Sequence, residues 1–331
     1  MADSVELVIQ HAVKQSFPDA ANITVLDIEP REANPLAERF VRVRWTSYDL
    51  TRIEQLKVSQ IEADQAADDE ALLAALAGAG VNVEPPMLVE PAEVGAYVVS
   101  RQVPGVSIGQ LFSDASMRWE LSAHGFTFAR ALARIHNVEW STAVPWMGDP
   151  EALAEDLIDE QLEDWMEEWQ ERASRCPDPY RGVVEAALNW LDLHHPVEVS
   201  VALCHGDFRP ANVIVENDEV AAIVGWEHAL VTDASFDLAL LPFEIAQIGL
   251  PEEDADLLSQ AIFGSYLQSS KRSLGNLQFY AVARLLTAGL QSIDLDGDSL
   301  SRIAAFSDDT DLLFRSMRQA MDESRKALWK R

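Results

Sequence analysis

The chain has 331 residues and a hydrophobic content of 48%, enough for more than one lobe and a sizeable core. Its formal net charge of −30 would repel the phosphates of nucleic acid and of anionic membranes, so neither is an expected partner. Cys176 and Cys204 match no zinc or disulfide spacing, the start MADSVELVIQHAVKQ carries acids where a signal peptide would be apolar, and no apolar run is long enough for a bilayer. These features lead to the expectation of a soluble, cytoplasmic protein.

Along the chain, RFVRVRW (39–45) alternates as a strand does, and RIEQLKVSQI (52–61) reads as a second strand, with a hairpin tip at Ser47, Tyr48 and Asp49. DDEALLAALAGAG (68–80) is expected to be a helix with Leu72, Leu73 and Leu76 on one face and with Gly78 and Gly80 stopping it. VEPPMLVEP is extended, because residues before proline avoid the helical region, and GAYVVSRQV (95–103) is an apolar strand ended by a Pro104-Gly105 turn. WELSAHGFTFARALARIHNV (119–138) and LAEDLIDEQLEDWMEEWQERA (153–173) have helical spacing. The stripe Leu157, Ile158, Leu162, Trp165 and Trp169 marks the core side of the latter, and its other face is acidic and solvated. A short β pair, NVIVEND and EVAAIVGW, turns at Asn217-Asp218, and the tail from Asn276 returns to helix. The reading is α+β: a β-rich N-terminal lobe over 1–103 and a mainly helical lobe over 104–331.

The stretch CHGDFRPANVIV (204–215) carries the chemistry. Asp207 and Asn212 sit on a loop leading into a strand, where a carboxylate can take a proton from a hydroxyl while an amide oxygen holds a cation. Protein kinases divide the work in this way in H-R-D-L-x-x-x-N, and HGDFRPAN fits that frame position by position. The alternative, an ordinary turn with Asp capping and Asn left-handed, leaves the downstream motifs unexplained. With GWEHA (225–229), DASFDLA (233–239), ALARIHNV, VPGVSI, ALNWLDLHHP and the lone lysine of EQLKVSQ, the chain resembles the aminoglycoside phosphotransferase and choline kinase-like superfamily. Within it, the chain looks closest to members similar to the kinase-like part of acyl-CoA dehydrogenase family proteins. The resemblance runs from about residue 35 to 245.

The resemblance implies a protein kinase-like two-lobed fold and transfer of phosphate from ATP or GTP, with Mg2+, to a hydroxyl of a small molecule. It makes Asp207 the base, Asn212 a magnesium ligand, His205 a brace of the loop and Asp237 its acidic buttress. Lys57 would grip the nucleotide phosphates, and its acidic partner would be Asp69, favoured by counting back from Leu73 and Leu76, with Glu70 as the alternative. Ser100, Arg101, Gln102 and Val103 would form the segment whose backbone meets adenine. Lys57 also stands out by composition: the other lysines are only Lys14, Lys271, Lys326 and Lys330, and an ammonium on a strand offers a compact charge to phosphate.

The family places its main metal-binding aspartate just before W-E, and here that position is Gly225. Glu227 and Asp233 are the nearest other carboxylates in sequence, with Glu227 as the tentative substitute ligand. Two outcomes are therefore expected: a weakened phosphotransferase, or a pseudokinase-like protein that binds nucleotide or ligand as a regulator. Gly105-Val106-Ser107-Ile108-Gly109 also fits the G-x-S-x-G elbow of serine hydrolases, but Ser107 can equally cap a helix, and no histidine follows His228. DLDGDS (294–299) has Ser299 where a calcium loop of the EF-hand type needs glycine and Ala305 where it needs glutamate, and reads as a solvated turn. PREANPLAERF has no glycine to cradle phosphates.

Overall fold

Alternating strands and apolar-striped helices form in the order that the sequence pattern suggests, with several additions. The computed structural model describes residues 2–30, 39–48, 50–92, 95–293 and 309–328; the acidic turn 294–299, Asp49 and most of the glycine-free stretch lie outside the described residues. In chain order the elements are helix α1 (Ala2–Ser16), strands β1 (Ala20–Pro30), β2 (Arg39–Ser47) and β3 (Leu50–Ile61), helix α2 (Ala63–Gly78), and strands β4 (Leu88–Pro91), β5 (Ala96–Arg101) and β6 (Val106–Ser107). Helices α3 (Ile108–Ser113), α4 (Leu121–His136), α5 (Trp140–Ala143), α6 (Ala154–Ser174) and α7 (Asp178–Leu193) follow. Then come strands β7 (Val201–Cys204), β8 (Val213–Glu216), β9 (Glu219–Ile223) and β10 (Leu230–Asp233), and helices α8 (Ser235–Leu238), α9 (Leu241–Ile248), α10 (Glu252–Ser269), α11 (Leu277–Ile293) and α12 (Thr310–Leu328). Among the described residues, no helix is long and apolar enough to cross a membrane.

The chain separates into two units, residues 1–105 with 214–224 and residues 106–213 with 225–331. The division at Val103 read from sequence put the 214–224 hairpin in the second lobe. In the structure Asn82 ties it to the first, its Nδ2 donating to the Val220 carbonyl at 2.7 Å and its carbonyl accepting the Ile223 N–H at 2.8 Å. Asn217 and Asp218 both have positive φ, 52° and 65°, as the two central residues of a type I′ turn require.

The first unit is built on an antiparallel five-stranded sheet in the order β1-β2-β3-β5-β4. On β2, Val41, Val43 and Trp45 point to the core while Arg42 and Arg44 are exposed, so the alternation in the sequence is a burial alternation. Helix α1 adds Val5, Val8, Ile9, Ala12 and Val13 to the same core. Helix α2 begins earlier than position 68, because ADQAA carries no apolar stripe to announce it but has nothing to break a helix.

The second unit packs helices around α11, which is buried on nearly every face and lies against α6, α7, α8 and α12. The α6 stripe is core, as expected: Ile158, Leu162, Trp165 and Trp169 are buried, and the Trp169 indole donates to Thr287 at 2.9 Å. Ser107 caps α3 in a reciprocal capping box, its hydroxyl accepting from Gln110 N–H while the Gln110 side chain accepts from Ser107 N–H. The hydroxyl is thus a helix cap, and the hydrolase alternative falls.

In the first unit, Trp45 is fully buried with its ring 5.3 Å from that of Phe17, and its indole nitrogen has no partner among the described residues. Trp45→Ala should therefore cost about 3–5 kcal/mol in urea unfolding, and Trp45→Phe, which removes the unpaired N–H, clearly less.

Candidate functional site

Strands β7 and β10 pair antiparallel with Cys204 opposite Leu230, and all eight of their residues are buried. This short pair carries the chain to His205, Gly206 and Asp207. Asp237, in α8, receives three donors: the His205 N–H (2.8 Å) and His136 Nε2 (3.0 Å) at Oδ2, and the Gly206 N–H (2.9 Å) at Oδ1. His136 Nδ1 lies 2.6 Å from the Tyr266 hydroxyl. The carboxylate can only accept, so Nε2 donates to it, while Nδ1 and the Tyr266 hydroxyl share the second hydrogen bond. Burial alone would raise the Asp237 pKa, but the bond and charge of His136, with His205, outweigh it and hold the carboxyl below its usual value. His136, Cys204 and Asp237 bring possible metal ligands within 4.8 Å, yet both histidine nitrogens are already hydrogen-bonded, so the group is a structural brace.

Arg284 of α11, 3% exposed, braces the loop from the other direction. It donates to the Phe236 carbonyl at 3.1 Å and the Gly206 carbonyl at 3.0 Å. Gly206 has φ +82°, and a Cβ there would stand 1.9 Å from the His228 carbonyl oxygen. Only glycine fits between two braced strands' ends at that conformation.

Asp207 is 6% exposed. Its Oδ2 accepts from Arg209 Nε (2.9 Å), from an Arg209 terminal nitrogen (2.7 Å) and from Asn212 Nδ2 (3.0 Å). Asn212 Nδ2 also donates to the Asp207 carbonyl at 2.9 Å, so both amide hydrogens serve one residue. No described residue donates to Asp207 Oδ1. His205 accepts the Asp207 N–H at 3.2 Å and its ring packs on Trp226, with centroids 4.5 Å apart. The structure thus brings His205, Asp207 and Asn212 together on one loop, with Asp237 of α8 bonded to it.

Gly225 has φ +84°, and a Cβ on it would lie 3.1 Å from Asn212 Nδ2. The residue therefore borders the Asp207–Asn212 pair, and it offers no side chain there. Of the two substitute carboxylates, Asp233 is buried and fully engaged: Oδ1 accepts from Ser235 N–H at 2.7 Å and Oδ2 from Asn276 at 2.7 Å and Ser200 N–H at 3.4 Å. It cannot turn towards Gly225 without orphaning those donors. Glu227 is exposed.

Sequence reasoning missed four residues at this site: Arg209, His136, Arg284 and Glu244. Arg209 lay inside the motif and His136 inside the ALARIHNV match on α4, neither given a role there; Arg284 and Glu244 come from α11 and α9, remote in sequence and with no local signal. Glu244 is half-buried, and its carboxylate makes no hydrogen bond or ion pair among the described residues. Burial pushes its pKa up to about 8; Arg284 and Arg209 oppose the shift and Asp207 adds to it.

In the first unit, Lys57 is half-buried on β3, between Leu56 and Val58 of the core face and opposite Phe40 and Ser100. Asp69 is half-buried on α2, three residues from buried Ala66 and Leu72, and Gln65 donates to it at 2.6 Å; Glu70 is exposed. Ser100 and Arg101 are paired to β3, and the Gln102 N–H is spent on the Gln55 carbonyl at 3.0 Å. Among these backbone groups the Gln102 carbonyl and the Val103 N–H have no partner among the described residues.

Two outcomes follow. Gly206→Ala should lower the melting temperature and abolish any activity that depends on Asp207, because loop or His228 must move. For Glu244, the folded-state pKa lies above the unfolded value of 4.5, so its stabilising effect is complete below about pH 4.5 and is lost as pH rises towards about 8. Urea unfolding of wild type against Glu244→Gln should show the wild type losing stability relative to the variant across that window.

A profile of the "Phosphotransferase enzyme family" matches residues 39–269. No curated protein is detectably similar in sequence. Among solved structures, a thermostable mutant of aminoglycoside phosphotransferase APH(4)-Ia, in ternary complex with AMP-PNP and hygromycin B, aligns at 19% identity and TM-score 0.59 over 97% of this chain and 99% of that one. Choline kinase LicA from Streptococcus pneumoniae aligns at 14% identity and TM-score 0.58, again over 97% and 99%. Macrolide 2'-phosphotransferase MphH from Brachybacterium faecium aligns at 15% identity and TM-score 0.51 over 96% and 98%. These likenesses establish a protein kinase-like α+β fold with a sheet-based N-lobe and a mainly helical C-lobe. With the profile spanning most of the chain and the HGD…N loop built as described, the chain belongs to the phosphotransferase enzyme family.

Proposed function

We propose that the chain transfers a phosphoryl group from a nucleoside triphosphate, ATP or GTP, to a hydroxyl of a small molecule, and does so slowly. One observation carries this reading: the Asp207 carboxylate has Oδ2 held by Arg209 and Asn212 while Oδ1 has no donor among the described residues. Oδ1 is then the atom that takes the acceptor's hydroxyl proton as the new oxygen–phosphorus bond forms. The bond from γ-phosphorus to the bridging oxygen breaks, and the nucleoside diphosphate leaves. Lys57, with Asp69 as its acidic partner, would hold the α and β phosphates. Adenine would meet the Gln102 carbonyl and Val103 N–H within the Ser100–Val103 segment. The bound AMP-PNP, GDP, hygromycin B and kanamycin of structural neighbours agree with a nucleotide donor and a small acceptor.

Slowness follows from Gly225. Charge building on the transferring phosphate needs a compensating cation, and its stabilisation is worth several kcal/mol; at 1.36 kcal/mol per tenfold, losing most of it slows transfer by about 10²–10⁴. The same residue favours a second reading, a nucleotide-binding regulator with no turnover. Two buried free cysteines and a net charge of −30 support a reducing, cytoplasmic setting without nucleic-acid or membrane partners.

Release of nucleoside diphosphate, measured with a panel of hydroxylated acceptors, separates the two readings. Asp207→Asn should cut any acceptor-dependent turnover by about 10²–10⁴ while leaving melting temperature and nucleotide binding near wild type. Full activity in that variant would remove Asp207 from the role of base.

A further inference from the structure

Magnesium is usually bound through one or two carboxylates together with substrate phosphates. The donors around Gly225 do not fit that pattern. The position itself has no side chain, and Asn212 offers only a neutral amide oxygen because both its N–H groups are spent on Asp207. Asp233 is locked by three backbone and side-chain donors, and Glu227 is exposed. Two carboxyls remain: burial in α9 disfavours the charged form of Glu244, and Asp207 already has a cation, the Arg209 guanidinium gripping its Oδ2 through two nitrogens, at 2.9 and 2.7 Å. A dication placed beside Asp207 would be repelled by that charge. What the loop presents instead is a guanidinium whose side chain is 29% exposed and whose remaining N–H groups meet no described residue. Such a group is a donor set for phosphate oxygens.

Resting on the nucleotide-binding reading above, we propose that this chain binds a nucleoside di- or triphosphate in its metal-free form, with the Arg209 guanidinium in place of a divalent cation at the catalytic loop. Arg209 would keep its Nε contact to Asp207 and turn its outer N–H groups to the terminal phosphate. The site would thus recognise the anion directly.

The test is calorimetric titration of the full chain with ADP and with ATP, in EDTA and then in millimolar MgCl2, MnCl2 or CaCl2. Affinity should change by less than about threefold between these conditions. Arg209→Met should weaken metal-free binding by about tenfold or more, and Arg209→Lys should recover part of it. Gly225→Asp should reverse the preference, weakening nucleotide in EDTA and making binding depend on magnesium; the new side chain is strained at φ +84° and Asn212 must give by a few tenths of an ångström, so the variant's melting temperature is measured alongside. Wild-type affinity that rises tenfold or more with magnesium would overturn the proposal while leaving nucleotide binding intact. No binding under any condition would overturn the nucleotide reading as well. The wild-type comparison decides the matter even if a variant fails to fold.

Discussion

A buried carboxylate holds the His205–Asp207 loop in place. Asp237 is 2% exposed, and the charge it keeps would cost several kcal/mol were it not matched by three donors. Those donors come from two places, the loop backbone and helix α4, so the same three bonds that keep the charge tolerable also fix where His205 and Gly206 sit. Removing the carboxylate would leave two buried backbone N–H groups and a buried histidine without an acceptor. The loop's geometry and the helix packing therefore stand or fall together.

From that anchor the rest of the site follows in order. With His205 and Gly206 fixed from below by Asp237 and Gly206 from above by Arg284, the chain at 206 is confined to a left-handed conformation against the His228 carbonyl. The residue after it, Asp207, is then thrown clear of the brace, and its side chain is trimmed by Arg209 and Asn212 to one usable oxygen. Two buried or nearly buried carboxylates, Asp207 and Asp237, face two guanidiniums, Arg209 and Arg284. Glu244, raised to about 8, adds little negative charge at neutral pH.

What the sequence disclosed was short-range. The β2–β3 hairpin, the Asn217-Asp218 turn, the α6 stripe and the HGDFRPAN frame each lie within about twenty residues, where period and turn chemistry speak directly. The β7–β10 pair was not legible, because VALC and LVTD are short runs buried on every side, with no alternation to distinguish them from helix. The allegiance of the 214–224 hairpin rests on Asn82, far away in sequence, and no local pattern encodes it. The partners of Arg284 and His136 were hidden for the same reason: a buried arginine in an apolar helix, or a histidine in ALARIHNV, announces that it has a partner, not which one. Asp233 looked in sequence like a mobile carboxylate, and only its three donors reveal it as fixed.

Gly225 takes on its meaning against this charge pattern. A carboxylate there would make a second acid beside Asp207, a setting that calls for a cation before any phosphate could approach. With glycine, the immediate neighbourhood of Asp207 carries as many guanidiniums as carboxylates. The chain as a whole, at −30, repels anions, but screening at physiological salt confines that effect to about 8 Å, so an incoming phosphate responds mainly to the groups it is about to touch. Those groups are Arg209, partly exposed, and an amide that has turned both hydrogens inward. A glycine at 225 thus bears on more than metal affinity: it leaves the charge around Asp207 balanced where a carboxylate would make it negative, and an anion meets less repulsion on its way to Arg209.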